Sequence, residues 1–327
     1  MLSRVAESIY WMQRYRERAE NVSRLAGVNV HLSIDAPGEE GIQWHPVVAA
    51  TGDLEVYREH YGEATEQNVL HFLTFDTRNP NSILNCLYKS RENARSIRPI
   101  ITSEMWHELN TVYLYIQKMA RSSKGNPPNQ EFFETIRKSC QLLTGITDTT
   151  LSHGEAWHFA RLGNLIERAD QTSRILDVKY FMLLPSPEYV GTAFDDIQWA
   201  ALLKSAGALE MYRRIHHSIH HASVAEFLIL NREFPRAIYS CLWRAEDSMR
   251  RLMDGRVEGC EPYARTAALC EEFASMKIYE IIKKGMHEFL DEIQGKIIQL
   301  NNSIYAAFFS MAPGAAAEIQ NETLTNA

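Results

Sequence analysis

Two short segments rich in glutamate and arginine are the part of this sequence whose residue types could do chemistry. Residues 17–25 read ERAENVSRL, and residues 167–175, 150 positions further on, read ERADQTSRI. Five of the nine positions are identical. A guanidinium can bind a carboxylate or phosphate through two parallel hydrogen bonds, and a carboxylate can hold an amine. The repeated segment is therefore a candidate ligand-binding or partner-binding site.

Helical spacing places the charged side chains of each segment together on one face. We call these eight candidates the Glu-Arg stripe: Glu17, Arg18, Glu20, Arg24, Glu167, Arg168, Asp170 and Arg174. Three interpretations stay open, namely a solvated helix surface, a buried salt-bridge network that packs helices, and a ligand or partner site. Repetition of the same residues in the same order disfavours the solvated surface.

A histidine cluster is a second candidate. His216 and His220 are four residues apart, as are His217 and His221. On a helix each pair could coordinate a metal ion. The cluster has no glutamate in the HExxH arrangement, and no third ligand is close in the sequence. The pattern favours an exposed polar helix face over a metal site.

Composition and missing motifs exclude several functional classes. The chain has 41 acidic and 34 basic residues, which gives no electrostatic reason to expect a nucleic-acid partner. Nucleotide-binding glycine loops and the GxSxG nucleophile motif are absent from the sequence, so it assigns no catalytic residue and no cofactor. The five cysteines form no CxxC pair, the N-terminus lacks the apolar core of a signal peptide, and no run approaches a membrane span. These features predict a soluble cytoplasmic protein with reduced thiols.

The repeat extends well beyond the Glu-Arg segments. Residues 42–58 match 197–213, and residues 69–95 match 224–250, both at a displacement of 155 positions. We therefore predict an all-α helical bundle built from two tandem copies of one multi-helix unit, related by a pseudo-twofold axis. The copies span residues 1–150 and 151–312 and share one core, and a flexible tail follows over 313–327.

Apolar periodicity predicts the helices of each copy. We expect them at residues 9–30, 43–60, 66–76, 80–98, 103–121, 130–150, 152–182, 194–220, 223–231, 235–253, 263–284 and 286–310. Connectors are predicted at 33–41, 122–128 and 184–191. Pro80 and Pro235 suit first helical turns, and Arg236 could reach a partner from such a turn, whereas Asn81 at the matching place lacks the charge. The sequence also predicts core packing for Trp11, Trp44, Trp157, Trp199 and Trp243.

Three stretches resemble one known family. Residues 8–21 (SIYWMQRYRERAEN), residues 161–170 (RLGNLIERAD), and residues 226–231 (EFLILN) leading to Phe234-Pro235-Arg236 are similar to the bacterial alpha-E domain family, named for its helices and its Glu-Arg motif. The resemblance covers nearly the whole chain. It implies a circularly permuted ATP-grasp enzyme as partner, often with a transglutaminase-like protein, in a system that forms peptide-like amide bonds.

The resemblance and the missing nucleotide loop together favour one function. We expect an accessory or substrate-binding protein that works with such an ATP-grasp amide ligase. The alternatives are a stand-alone enzyme that uses Glu17 or Glu167 as general base near an arginine-bound carboxylate, and a structural dimerisation module. Nucleic acid and membrane are not expected as partners, and the sequence leaves a homo-oligomer open.

Overall fold

The computed structural model describes residues 1–35, 43–123, 126–181 and 193–310. Within these ranges every regular element is helical, which confirms the predicted all-α class. The first seven helices are α1 (Ser3–Asp35), α2 (His45–Ala49), α3 (Leu54–His60), α4 (Glu66–Thr74), α5 (Ile83–Ser96), α6 (Ser103–Ser122) and α7 (Gln130–Thr150). The others are α8 (Glu155–Phe181), α9 (Ala193–Ser205), α10 (Leu209–Ile215), α11 (His221–Leu230), α12 (Ile238–Leu252), α13 (Glu261–Ser275), α14 (Ile278–Lys284) and α15 (Met286–Ile304).

Two long helices, α1 and α8, form the centre of the fold and pack against each other. Helix α1 also packs against α5 and α7, and α6 covers both of these. Helix α8 packs against α12 and α15, and α13 covers both of those. Each central helix therefore lies beneath a three-helix layer, and the surfaces where α1 and α8 meet are removed from water.

The sequence of α1 reflects this central position. Its apolar residues Ile9, Met12 and Val22 are buried, as a core-facing stripe requires. Gln13 and Glu17, on its polar face, are equally inaccessible, at 0% exposure. Because α1 has helices on several sides, its polar face contacts protein instead of solvent.

Two of the predicted helices are broken at glycines. Residues 43–60 were expected to form one helix, but α2 ends at Ala49 and α3 starts at Leu54. Residues 194–220 likewise divide into α9 and α10. Gly52 and Gly207 stand in these breaks with φ of 79° and 63°, a left-handed conformation that ends a helix and that glycine adopts without steric cost. The two continuous helices were wrong predictions for that reason.

The two prolines precede helices instead of starting them. The N-cap of α5 is Ser82, whose hydroxyl oxygen accepts a hydrogen bond from the backbone N–H of Asn85 at 3.3 Å. Pro80 therefore lies in the turn before the cap, and Pro235 lies in the corresponding turn before α12. The placement of both prolines in first helical turns was wrong by about one turn.

Smaller differences concern the second half of the chain. The helix predicted over 263–284 is two helices, α13 and α14, and the one predicted over 286–310 ends in a π-helical turn, Tyr305–Phe309. Trp243 is 39% exposed, and the Arg232 guanidinium carbon lies 4.3 Å from its ring centre, so its assignment to the core was wrong. The predicted connector 184–191, most of 33–41, two residues of 122–128 and the tail 313–327 lie outside the described residues.

Two further findings concern the cysteines and the apolar character of the helices. All five cysteines are buried and none is bonded to another. Among the helices of the described ranges, none combines the length and apolar character that a membrane crossing requires.

Candidate functional site

The Glu-Arg stripe lies in the interface between the two central helices. Its first four residues are on α1 and its last four are on α8, and the two helices are in contact. Glu17 and Glu167 have fully buried side chains, and Glu20 is 1% exposed. The solvated-surface interpretation is therefore excluded by burial, and the stripe forms a buried network.

Each glutamate of a Glu-Arg pair binds the arginine of the other pair. Arg168 of α8 donates from Nε and Nη2 to the carboxylate of Glu17, at 2.9 and 3.0 Å. Arg18 of α1 donates from Nε and Nη2 to the carboxylate of Glu167, at 2.6 and 2.9 Å. Both contacts are bidentate, the strongest geometry available to a guanidinium and a carboxylate. The two Glu-Arg pairs are thus exchanged between α1 and α8.

Further arginines saturate both glutamates. Glu17 also accepts from Arg16 at 2.9 Å and from Arg236 at 2.8 Å. Glu167 also accepts from Arg14 Nε at 2.9 Å. All the oxygen atoms of these two buried carboxylates therefore have charged hydrogen-bond donors, which is what a buried carboxylate needs to remain ionised.

The arginines set the ionisation of these carboxylates. Burial by itself raises the pKa of Glu167, but the charges and hydrogen bonds of Arg18 and Arg14 outweigh it and lower the pKa to about 2. Burial acts in the same direction on Glu17, and Arg168, Arg236 and Arg16 lower its pKa well below the usual value. Both groups are carboxylates at neutral pH, and neither has the raised pKa of a general base or acid tuned for neutral pH.

A sequence profile described as a predicted alpha-helical domain with a conserved ER motif, named Alpha-E, matches residues 1–309. The chain belongs to the Alpha-E family. Its similarity extends to uncharacterized proteins of Mycobacterium bovis and of Mycobacterium tuberculosis strain CDC 1551, each 24% identical over 273 residues. The aligned region covers 76% of this chain and only 30% of each relative, so the chain spans less than a third of their length. No solved structure matches the chain.

The arginines of this Alpha-E protein are distributed unequally around the stripe. Four arginines contact Glu17 and Glu20, and we call these six residues the Glu17 cluster: Glu17, Glu20, Arg16, Arg24, Arg168 and Arg236. Three arginines contact Glu167 and Asp170, and with nearby Asp53 they form the Glu167 cluster: Glu167, Asp170, Asp53, Arg14, Arg18 and Arg174. The first cluster has two excess positive charges, and the charges of the second cancel.

Arg236 makes the Glu17 cluster more positive. It comes from the turn before α12 and donates to Glu17 at 2.8 Å, to Glu20 at 2.6 Å and to the Asn21 amide oxygen at 2.9 Å. The sequence indicated that Arg236 could reach a partner, and within the chain its partners are these three side chains. At the place that the repeat matches to it, Asn81 accepts from Arg18 at 2.5 Å and donates to Asp53 at 2.6 Å.

Arg24 has an incomplete set of partners. It binds Glu20 through Nη2, but its Nε is buried and has no hydrogen-bond acceptor within the described ranges. Burial and the positive charges of Arg236 and Arg137 outweigh Glu20 and lower the pKa of Arg24 to about 10. Positive charge therefore exceeds negative charge around Arg24, and an anionic ligand could offset the excess.

Two glycines lie against the outer arginines of the stripe, Arg24 and Arg174. A Cβ at Gly52 would lie 2.8 Å from Nη1 of Arg174, and a Cβ at Gly207 would collide with Nη1 of Arg24. Both glycines are exposed, so the guanidiniums of Arg24 and Arg174 lie just beneath the protein surface. The turns before α3 and α10 thus place the backbone of Gly52 and Gly207 against Arg174 and Arg24, at the two ends of the Glu-Arg stripe.

Sequence reasoning missed several members of the network. Arg14 and Arg16 precede Glu17 on α1. Asp53 and Asn81 lie in turns, where helical periodicity gives no information about position. The available signal was the sequence repeat, because the glycines at 52 and 207 match at the same displacement as the segments around them. Gly52 and Gly207, 155 positions apart in the sequence, could have indicated that the adjoining turns contact the stripe.

The histidine cluster does not have the predicted helical geometry. Helix α10 ends at Ile215 and α11 starts at His221, so His216, His217 and His220 lie in the turn between them. The pairing four residues apart on one helix was therefore a wrong prediction. His220 Nε2 lies 2.9 Å from the Ser218 hydroxyl. Across the described residues, no three His, Cys, Asp or Glu side chains are grouped so as to hold a metal ion.

Proposed function

We propose that this Alpha-E protein is a cytoplasmic accessory protein that binds an anionic group on the substrate of a circularly permuted ATP-grasp amide ligase. The observation that carries the proposal is the excess of arginine in the Glu17 cluster, with the unpartnered Nε of Arg24 at its outer end. A carboxylate or a phosphate is the group that such an arrangement attracts.

The anion would bind between three guanidiniums. Arg24 and Arg236 both contact Glu20, and the charge of Arg137 on α7 is close enough to lower the pKa of Arg24. Arg24 is 8% exposed, so a charged group that binds it is largely shielded from water, which strengthens the attraction. The carboxylates of Glu17 and Glu20 are already shared by Arg16, Arg24, Arg168 and Arg236, so a ligand carboxylate would supply negative charge that the Glu17 cluster lacks.

The state of the two central glutamates argues against a stand-alone enzyme that uses them as bases. Glu17 and Glu167 are inaccessible, and guanidiniums occupy their oxygens. Low pKa values make both carboxylates weak bases. A binding role for the arginines at the ends of the network agrees better with this geometry.

The proposal includes an internal duplication. Support comes from the matching contacts of the two halves, because α1 packs on α5 and α7 as α8 packs on α12 and α15. The exchange of Glu-Arg partners between α1 and α8 has the same form in both directions. We propose that residues 1–150 and 151–312 are tandem copies related by a pseudo-twofold axis that passes between α1 and α8.

A partnership with an ATP-grasp protein is supported by family resemblance and by chain length. The mycobacterial relatives contain the aligned region within a much longer chain, as expected for a unit that acts together with other domains. The cytoplasmic assignment is supported by five free, buried cysteines, which need no oxidising compartment.

Binding experiments test the anion site. Calorimetric titration with glutarate and with inorganic phosphate measures affinity for wild-type protein and for Arg137→Gln, with the exposed Arg214→Gln as a matched control. Loss of one charge-assisted contact should weaken glutarate or phosphate binding about tenfold in Arg137→Gln and leave Arg214→Gln unchanged. Equal affinity in all three proteins would overturn the anion site.

Reconstitution tests the partnership. A circularly permuted ATP-grasp protein from the same organism should co-purify with the chain, and the ATP-dependent amide-bond formation of that enzyme should be faster when the chain is present. Arg137→Gln should reduce that stimulation more than Arg214→Gln does. A ligase that neither binds the chain nor changes its rate would contradict the accessory role.

A further inference from the structure

The two ends of the Glu-Arg stripe share a glycine that lies against an arginine, but they differ in the side chain at the position of Arg236. At one end Gly207 lies against Arg24, and at the other Gly52 lies against Arg174. At the Gly207 end, Arg236 fills the space beside the glycine and bonds to Glu17, Glu20 and Asn21. The residues that match these acceptors at the Gly52 end are Glu167, Asp170 and Gln171.

The chain does not supply that guanidinium. Asn81, which the repeat matches to Arg236, has a short side chain whose amide bonds to Arg18 and Asp53. Asp170 receives a hydrogen bond from Arg174 alone, at 2.9 Å from Nε to Oδ2, among the described side chains. Among the described residues, the end of the network near Gly52 thus has acceptors for a cation and no arginine that corresponds to Arg236.

Two buried carboxylate oxygens are left without donors. Oδ1 of Asp170 and Oδ2 of Asp53 have no hydrogen-bond partner within the described ranges, although the residues are 7% and 5% exposed. The Thr51 hydroxyl lies near Asp53, but its hydrogen is donated to the Val48 carbonyl oxygen at 2.8 Å. A buried carboxylate oxygen with no donor is costly, and such groups in native structures usually have a partner. Burial is also the main reason that the pKa of Asp53 is raised.

Electrostatics favour a cation at this end more than at the other. Asp53 stands where the second copy has Ala208, so the Gly52 end has one more carboxylate than its counterpart. The six residues of the Glu167 cluster have cancelling charges, whereas the Glu17 cluster would retain an excess positive charge even without Arg236. A structure that accommodates Arg236 at the more positive end can accommodate a cationic group at the neutral one.

We propose that the Gly52 end of the network binds a guanidinium or primary ammonium group of a ligand at Asp53 and Asp170, in the position equivalent to that of the Arg236 guanidinium. The inference rests on the proposed duplication and extends the proposed function to a second substrate group. The ligand group would donate hydrogen bonds to the free oxygens of Asp170 and Asp53. Exposure of Gly52, and of 24% of the Arg174 side chain, gives such a group a route from the surface.

Agmatine, which has a guanidinium at one end and an ammonium at the other, is a suitable probe. Bound at about ten times its dissociation constant, it should raise the midpoint of thermal unfolding by about 2 °C. Asn81→Arg should supply the missing guanidinium from the chain itself, so it should raise the midpoint without ligand and abolish the effect of agmatine. The exposed Asn302→Arg is the matched control and should respond to agmatine like wild-type protein.

A second variant keeps the test decisive if Asn81→Arg does not fold. Asp53→Asn removes one acceptor charge, and calorimetry should show agmatine affinity at least about tenfold lower than in wild-type protein. The proposal is overturned if agmatine does not bind wild-type protein, or if it binds Asn81→Arg or Asp53→Asn as tightly. Glutarate titration of the same samples distinguishes the two sites, because loss of the cation site alone leaves glutarate binding intact.

Discussion

Glu17 of α1 and Arg168 of α8 are joined by two hydrogen bonds of 2.9 and 3.0 Å across the interface between the central helices. Glu167 and Arg18 repeat the contact in the opposite direction. The spacing of the charged residues in either helix alone would suit a solvated helix face. The Glu-Arg stripe instead lies in the interface between α1 and α8. The Glu17 cluster has two excess positive charges and the charges of the Glu167 cluster cancel, and ligands are expected at the two ends, where buried polar atoms have no partner among the described residues.

Removal of one central glutamate should be strongly destabilising. Glu17→Gln removes the carboxylate that binds Arg168 and leaves Arg16 and Arg236 with Glu20 alone, which costs about 3–5 kcal/mol for a buried ion pair broken on one side. Urea unfolding followed by circular dichroism measures the change. Glu134→Gln breaks the exposed pair with Lys138 and should cost about 0.5 kcal/mol. Equal losses in the two variants would show that burial of the stripe is energetically unimportant.

Stability should fall in acid because of Glu167. Its pKa is about 2 in the folded protein and near 4.5 when unfolded, so its contribution is fully present above about pH 5. The contribution is then lost as the pH falls from 4.5 towards 2. The free energies of unfolding of wild-type protein and Glu167→Gln, measured in urea at pH 7, 5, 4 and 3, should therefore converge at low pH. A difference that stays constant from pH 7 to pH 3 would be the contrary result.

The glycines at the helix breaks should not tolerate alanine. In Gly207→Ala the new Cβ collides with Arg24 and the backbone keeps a positive φ, which together should cost about 1–3 kcal/mol. Gly145→Ala is the matched control, since this glycine lies inside α7 with no atom within 4 Å of the added Cβ. It should stabilise by about 0.5–1 kcal/mol. Thermal unfolding of both variants checks the opposite signs.

The native thiols should be unreactive. Burial raises the pKa of Cys86 to about 12, that of Cys241 to about 11 and that of Cys270 to about 12, and it also raises the pKa of Cys140. Since the thiolate is the reactive form, an aromatic disulfide reagent at pH 8 should label native protein slowly and label all five cysteines after urea unfolding. Fast labelling of the native protein would contradict the burial of these side chains.

The sequence predicted the helices, the stripe and its candidate residues, because apolar periodicity and a repeated Glu-Arg segment are both local signals. It left the environment of the stripe open, since the same spacing of Glu17, Glu20 and Arg24 suits a solvated face, a buried seam or a binding site. Burial depends on α1 lying between other helices, which is a property of the whole fold. Asp53 and Asn81 approach the stripe from turns, so no helical period could place them there.

The central claim is that the stripe residues pair between α1 and α8 and that these pairs stabilise the packing of the two helices. A double-mutant cycle on Arg18→Met and Glu167→Gln, with unfolding free energies for the single and double variants, tests it most directly. The exchanged pairing predicts a coupling energy of about 2 kcal/mol or more between these two side chains. A coupling energy within about 0.5 kcal/mol of zero, as expected for an exposed pair such as Lys138 and Glu134, would contradict it.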